Sequence, residues 1–312
     1  MPWKENYTRS DEKSLEDHQV AWPGGHHCAA TITVDLSPAT TPAGVTEADL
    51  RNSPAVFGLH DGTDQVLALL RRFGLKATFT VPAVLARFLA DTIRRVQDDG
   101  HEIAAGGFKH EDVSGLTRAD EAARIALTTE ILADATGARP TGWFSLPRAG
   151  DPFAVGTISP NTMDLLLEAD YAYMGNGLSD DIPHYWVTDF AARRAILTMP
   201  YYYHFDDQFF LLFPKKGTGL EHADALYANW VAEFDAQYRR GRYFNMVLHP
   251  AAVGWCNRAK LLEDFLAKLH QAPDLWNPTS GECAAYWADA YPAATTLKLE
   301  ESIWQDYPGS RS

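Results

Sequence analysis

Apolar and polar positions alternate along this chain in blocks of two kinds. HHCAATITVDL, residues 26–36, is an apolar, β-branched run of the sort that forms a strand covered on both faces. The Pro- and Thr-rich SPATTPAG that follows is a loop, so Asp35 stands at the carboxyl end of a strand. DQVLALLRRFGL then spaces its apolar residues for one helix face and ends at a glycine, and ATFTVPAV is another strand running into a proline. Strand, helix and strand in that order predict a βαβ unit and a parallel sheet.

The alternation continues. RFLADTIRRVQDDG reads as a helix closed by Gly100, HEIAAG as a short strand, and RADEAARIALTTEILADATG as a long amphipathic helix. TGWFSLP predicts a strand, SPNTMDLLLEAD a helix capped by Ser159, and AILTMP a strand. ALYANWVAEFDAQYRRG, YFNMVLHP and RAKLLEDFLAKLH add helix, strand and helix. No linker, low-complexity stretch or internal repeat divides them. The expected architecture is a single α/β domain, a (β/α) barrel or a close relative, with residues 1–19 a polar arm, 20–290 the barrel and 291–312 a C-terminal extension.

Composition narrows the partners. A net charge of −14 over 312 residues argues against nucleic acid or an anionic membrane, which need a clustered basic face, and favours a small, mostly neutral or cationic molecule as substrate. Cys28, Cys256 and Cys283 lack CxxC or CxxH spacing, so neither a disulfide framework nor a thiolate zinc site is indicated and each is expected to be buried. The N-terminal stretch has no apolar signal region, and no run of about eighteen apolar residues occurs; cytoplasmic residence is the expectation.

Chemistry in such barrels gathers at the carboxyl ends of the strands. The polar residues ending strand-like runs are Asp35 after TITV, His110 past HEIAAGGF, Arg148 beyond GWFSLP and His249 after YFNMVL. An acid, two imidazoles and a guanidinium at one mouth suit hydrolysis, one group taking a proton from water and another returning one to a leaving group.

The ordered pieces VAWPGG, TITVDLS, KATFTVP, GHEIAAGGFKHE, SPNTMDLLLEADYAY, DDIPHYW, LTMPYYY and FNMVLHP resemble the polysaccharide deacetylase (NodB-homology) family from about Val20 to Trp287. DDIPHYW and LTMPYYYHFDD look like the branch of metal-independent allantoinases and cyclic imide hydrolases. The resemblance implies a distorted (β/α) barrel of the NodB-homology type, a homo-oligomer (dimer or tetramer), and hydrolysis of an amide-type C–N bond. It implies Asp35 as general base, His110 as the second metal-binding histidine and His249 as general acid. The metal carboxylate would fall at Leu36 or Ser37 and the first metal histidine at Gly106, none of which offers a ligand. The arginine usual in the third motif is replaced by Phe144, with Arg148 four residues later.

The leading expectation is therefore a hydrolase of a small cyclic amide, imide or ureide that uses no cofactor. Asp35 or His110 deprotonates water, backbone N–H groups near Gly106–Gly107 or Arg148 stabilise the oxyanion, and His249 protonates the departing nitrogen. Three other readings stand beside it. The first is a divalent metal such as zinc held by His110, Asp35 and Glu111, Asp112 or His60. The others are acid–base chemistry on a specialised metabolite, and a non-catalytic binder. Substrate contacts are expected from His60, Gly106, Gly107, Glu111, Phe144, Trp186, Tyr201 and Tyr203, with His204 and Phe205 completing an aromatic run.

Overall fold

The strand expected near the start forms β1, Cys28–Asp35, and all eight of its residues are buried. The computed structural model describes residues 15–148, 151, 157–177, 180–189, 192, 194–203, 206–211 and 223–297. Further strands are β2 (Thr78–Val81), β3 (Glu102–Ala105), β4 (Gly142–Trp143), β5 (Tyr173–Gly177), β6 (His184–Asp189), β7 (Arg194–Pro200), β8 (Tyr243–Leu248) and β9 (Leu275–Trp276). Their hydrogen-bonded order is β6-β7-β5-β4-β3-β2-β1-β8, with β9 pairing on β1. Only the β6–β7 pair is antiparallel among the described strands. Among the described residues the ladder does not close between β8 and β6; instead Asn245 on β8 donates through Nδ2 to the carbonyl of Pro200 at the end of β7, 2.9 Å away. The single domain is a distorted (β/α) barrel, as the strand and helix alternation predicts.

The two-residue period of the strands separates an outer core from an inner one. On β1, Ala30, Ile32 and Val34 pack towards the helices, as do Phe244, Met246 and Leu248 on β8. The helices Thr63–Phe73, Ala223–Arg240 and Cys256–Gln271 cover them with Val66, Leu70, Trp230, Phe234, Phe265 and Leu266. The opposite parity, Thr31, Thr33 and Asp35 on β1 and Tyr243, Asn245 and Val247 on β8, points into the barrel. Its floor is closed by Glu102, which accepts hydrogen bonds from Thr78 Oγ1 (2.9 Å), Gly281 N (2.8 Å) and Tyr173 OH (3.0 Å). With the lower lumen occupied, polar side chains can meet a substrate only at the carboxyl ends of the strands.

Three local expectations are corrected. TGWFSLP makes ladder bonds only at Gly142 and Trp143, because beyond them the Asn176 side chain takes over: Ser145 N donates to Asn176 Oδ1 at 2.7 Å, and Asn176 Nδ2 donates to Ser145 O at 2.9 Å. The following helix begins at Thr162 with Asn161 at its N-cap, and the Ser159 hydroxyl donates to the buried Glu121 instead. Cys28 and Cys283 are buried as expected, but Cys256, opening a surface helix, is exposed. No described helix is long and apolar enough to cross a membrane.

Candidate active site

Strand register brings the two central residues together. Val34 and Leu248 are partners across the parallel β1–β8 pair, so Asp35 and His249 come next on neighbouring strands, with the same inward parity. Both are almost fully buried, 4% and 5% exposed. His249 Nε2 lies 3.6 Å from Asp35 Oδ2, and Asp35 Oδ1 accepts the Ser37 N–H at 2.9 Å. Pro250 follows His249 as the first residue of the short helix Pro250–Val253, so the chain leaves β8 with His249 fixed at the junction.

The other side of the His249 ring is held by a pair of buried carboxylates. Asp207 accepts from His249 Nδ1 at 2.6 Å and from its backbone N at 2.7 Å. Asp206 Oδ1 lies 3.5 Å from the same Nδ1, while Asp206 Oδ2 accepts the Tyr201 hydroxyl at 2.8 Å. Burial alone pulls an imidazole pKa down; the charges of Asp206 and Asp207, with hydrogen bonds to Asp207 and Asp35, outweigh it and hold His249 well above its ordinary range. Asp206 is pushed up to about 7, chiefly by burial, with the His249 charge pulling it back and Asp207 adding to the rise. Asp207 is raised for the same first reason. The ring's Nδ1 thus faces the carboxylates and its Nε2 faces Asp35 and the mouth, an arrangement that favours the imidazolium form. Neither aspartate stood out in the sequence beyond belonging to the aromatic run YYYHFDDQF, where an acidic pair before a helix was the available signal.

His110 is brought to the same mouth but is engaged differently. Its Nδ1 is 2.6 Å from Ser37 Oγ and its Nε2 2.5 Å from the Leu146 carbonyl. A carbonyl only accepts, so Nε2 donates to Leu146, and in that tautomer Nδ1 is the nitrogen that can accept from the Ser37 hydroxyl. The backbone at His110 is left-handed, φ 58°, a conformation that costs a residue with a Cβ roughly 1–2 kcal/mol. Arg148 supports it by donating from Nη1 to the His110 carbonyl at 3.1 Å. The rest of that guanidinium is committed to Asp151, at 3.1 Å from Nε and 2.9 Å from Nη2. Arg148 is therefore a clamp on the His110 turn; none of these contacts takes it to Asp35.

The zinc set of the family does not fit these residues. Leu36 and Ser37 offer no carboxylate, and both His110 nitrogens are in hydrogen bonds. At Gly106 an added Cβ would sit 2.7 Å from Thr80 Oγ1 and 3.1 Å from Pro82 N, so the backbone leaves no room for an imidazole. The three protein ligands of the family's catalytic zinc pattern are therefore not assembled at these positions. Among the described residues Asp206, Asp207 and His249 are spaced closely enough for a cation, and there His249 Nδ1 lies 2.6 Å from Asp207 Oδ1.

The remaining expected contacts fall into separate places. Gly106, Gly107, Glu111 and Phe144 line one recess together with His110, Gly107 at φ 81°, where glycine is favoured. Tyr201 belongs to the carboxylate pair. Trp186 packs against the outer, helix-side core, because alternation along β6 turns Tyr185 and Val187 inward; its expected place in the cavity is corrected. His60 is exposed, its ring edge against Phe88 at 5.6 Å, and Tyr203 is 49% exposed. His204 and Phe205 lie outside the described residues.

Comparison with known proteins finds likeness in sequence and in fold. Residues 52–173 match the polysaccharide deacetylase family model. A peptidoglycan deacetylase of Helicobacter pylori is 24% identical over 224 residues, covering 64% of this chain and 74% of the relative. The crystal structure of PuuE allantoinase superposes with a TM-score of 0.76 at 20% identity, over 90% of this chain and 95% of that one. A Mycobacterium smegmatis protein named as a polysaccharide deacetylase gives 0.77 at 25% identity, over 94% and 99%. Over residues 52–173 the chain is thus similar to the polysaccharide deacetylase family, and its (β/α) barrel is the fold of these solved structures.

Proposed function

We propose that this chain hydrolyses a non-peptide C–N bond in a small cyclic amide, imide or ureide, by acid–base catalysis that needs no metal. The observation that carries the reading is the Asp35–His249 pair: a buried carboxylate oxygen 3.6 Å from the ring Nε2, with the opposite ring nitrogen pinned to Asp207 at 2.6 Å. Asp35 takes a proton from water as its oxygen attacks the carbonyl carbon. His249 Nε2 gives its proton to the nitrogen as the C–N bond breaks, and the proton on Asp35 restores His249 afterwards. Burial of the pair strengthens each of these interactions.

A small substrate is favoured over a polymer by the acidic chain and by the burial of both residues. Of the proteins named above, two are by name deacetylases of peptidoglycan and of a polysaccharide and one is an allantoinase, and allantoin is a cyclic ureide. Unassisted water is a weak nucleophile, which favours a strained or activated ring. The test is turnover of a panel of cyclic imides, hydantoins and ureides by wild type and Asp35→Asn. The reading expects ring opening on at least one member and loss in the variant; equal turnover by both would refute it.

A further inference from the structure

The pair Ser37 and His110 has no task in the scheme above, yet it is built as a nucleophile with its base. Ser37 is half-buried, whereas Asp35 and His249 are almost closed off. Its hydroxyl has an imidazole nitrogen 2.6 Å away, and the far nitrogen of that ring is fixed on the Leu146 carbonyl at 2.5 Å. The carbonyl sets the tautomer, which leaves Nδ1 unprotonated and facing the hydroxyl. This is the nucleophile, base and orienting group arrangement of covalent catalysis. The backbone N–H of the same serine is bonded to Asp35 Oδ1 at 2.9 Å, so nucleophile and acid–base pair share one turn. The left-handed His110 and its Arg148 clamp spend conformational freedom to hold the ring there.

We infer that Ser37 Oγ, activated by His110, attacks the carbonyl carbon and forms an acyl-enzyme, so that water opens an ester rather than the amide itself. The inference rests on the hydrolytic reading above and deepens it. In the first half, the Ser37 proton passes to His110 Nδ1, the Oγ–C bond forms, and the C–N bond breaks with the His249 Nε2 proton going to nitrogen. In the second, Asp35 takes a proton from water as its oxygen attacks the ester, His110 returns its proton to Ser37 Oγ, and the proton on Asp35 passes to His249. The sum is amide plus water giving acid plus amine.

The test is treatment of the full chain with a fluorophosphonate, followed by peptide mass spectrometry. One adduct at Ser37 is expected, with labelling slowed about 100-fold in His110→Asn and absent in Ser37→Ala. Should the alanine variant fold poorly, Ser37→Cys keeps a nucleophile at the position, and iodoacetamide should alkylate position 37 faster than the exposed Cys256. No adduct at Ser37, with Ser37→Ala turning over substrate at the wild-type rate while Asp35→Asn and His249→Asn do not, would overturn the covalent step and leave the acid–base reading intact. Wild-type turnover by Asp35→Asn would instead overturn the reading beneath it.

Discussion

Replacing Asp207 by Asn removes one negative charge and little volume. Asp207 is fully buried and receives two donors of His249, the ring Nδ1 at 2.6 Å and the backbone N at 2.7 Å. An amide has one oxygen to offer, so its NH2 faces one of those donors and a buried N–H loses its partner. Breaking a buried charged pair costs ~3–5 kcal/mol. Here Asp206 remains 3.5 Å from Nδ1 and takes part of the load, so a stability loss near 3 kcal/mol is expected by chemical denaturation. The larger consequence is for the proton on Nε2. Burial already pulls the His249 pKa down, and Asp207 is one of the two charges that hold it up. With that charge gone the acid form is lost at lower pH. A loss of about 2–4 kcal/mol of transition-state stabilisation corresponds to a fall of roughly 30- to 1,000-fold in kcat/KM. The assay is kcat/KM from pH 5 to 10 for both proteins on the same cyclic substrate. The alkaline limb, where His249 gives up its proton, should move to lower pH in the variant. A rate loss with the limb unmoved would refute the reasoning, because Asp207 would then act on structure and not on the acid.

Other consequences follow from the same geometry. Gly106→Ala should destabilise by about 1–3 kcal/mol, because its Cβ would meet Thr80 Oγ1 at 2.7 Å; in a double-mutant denaturation cycle Thr80→Ala should recover part of that loss. Arg148→Met strands the buried Asp151 carboxylate and releases the His110 turn, for a cost of ~3–5 kcal/mol; Asp151→Asn added to it should return part of the stability, and a fully additive pair would contradict the clamp. Asp206 couples stability to pH. An unfolded aspartate releases its proton near pH 4 and the folded one at about 7, so between those values the native state holds the extra proton. Stability therefore falls as pH rises through this window, by at most about 1.4 kcal/mol per unit. Asp206→Asn should flatten that slope in denaturant titrations at pH 4 to 7.

The outer architecture and the strand-end places of Asp35 and His249 were legible because they follow from local rules. A strand announces itself by its apolar run and its end by the loop chemistry after it, which marked Asp35 and His249. Their juxtaposition was not legible. It depends on β1 pairing with β8, more than 200 residues apart in the chain, in the register Val34 to Leu248, and a two-residue period fixes parity but not partner. Asp206 and Asp207 were hidden for a related reason: their meaning comes from a ring that arrives from another strand. Ser37 read as a gap in a metal site, and its short bond to His110 is a property of the folded mouth. Gly106 was read as a place where backbone comes close; that Thr80 is what it meets needed the β2–β3 register. Trp186 was misplaced because alternation along a strand gives two faces without saying which is the lumen.

The most direct test of acid–base hydrolysis without metal compares the turnover of one cyclic substrate by wild type before and after exhaustive chelation, with zinc added back, and by Asp35→Asn. The account predicts equal rates before and after chelation, no gain from zinc, and a fall of at least about 100-fold in the variant. Activity lost on chelation and restored by zinc would contradict it, and would mean that a cation acts at this mouth through ligands other than those of the family pattern.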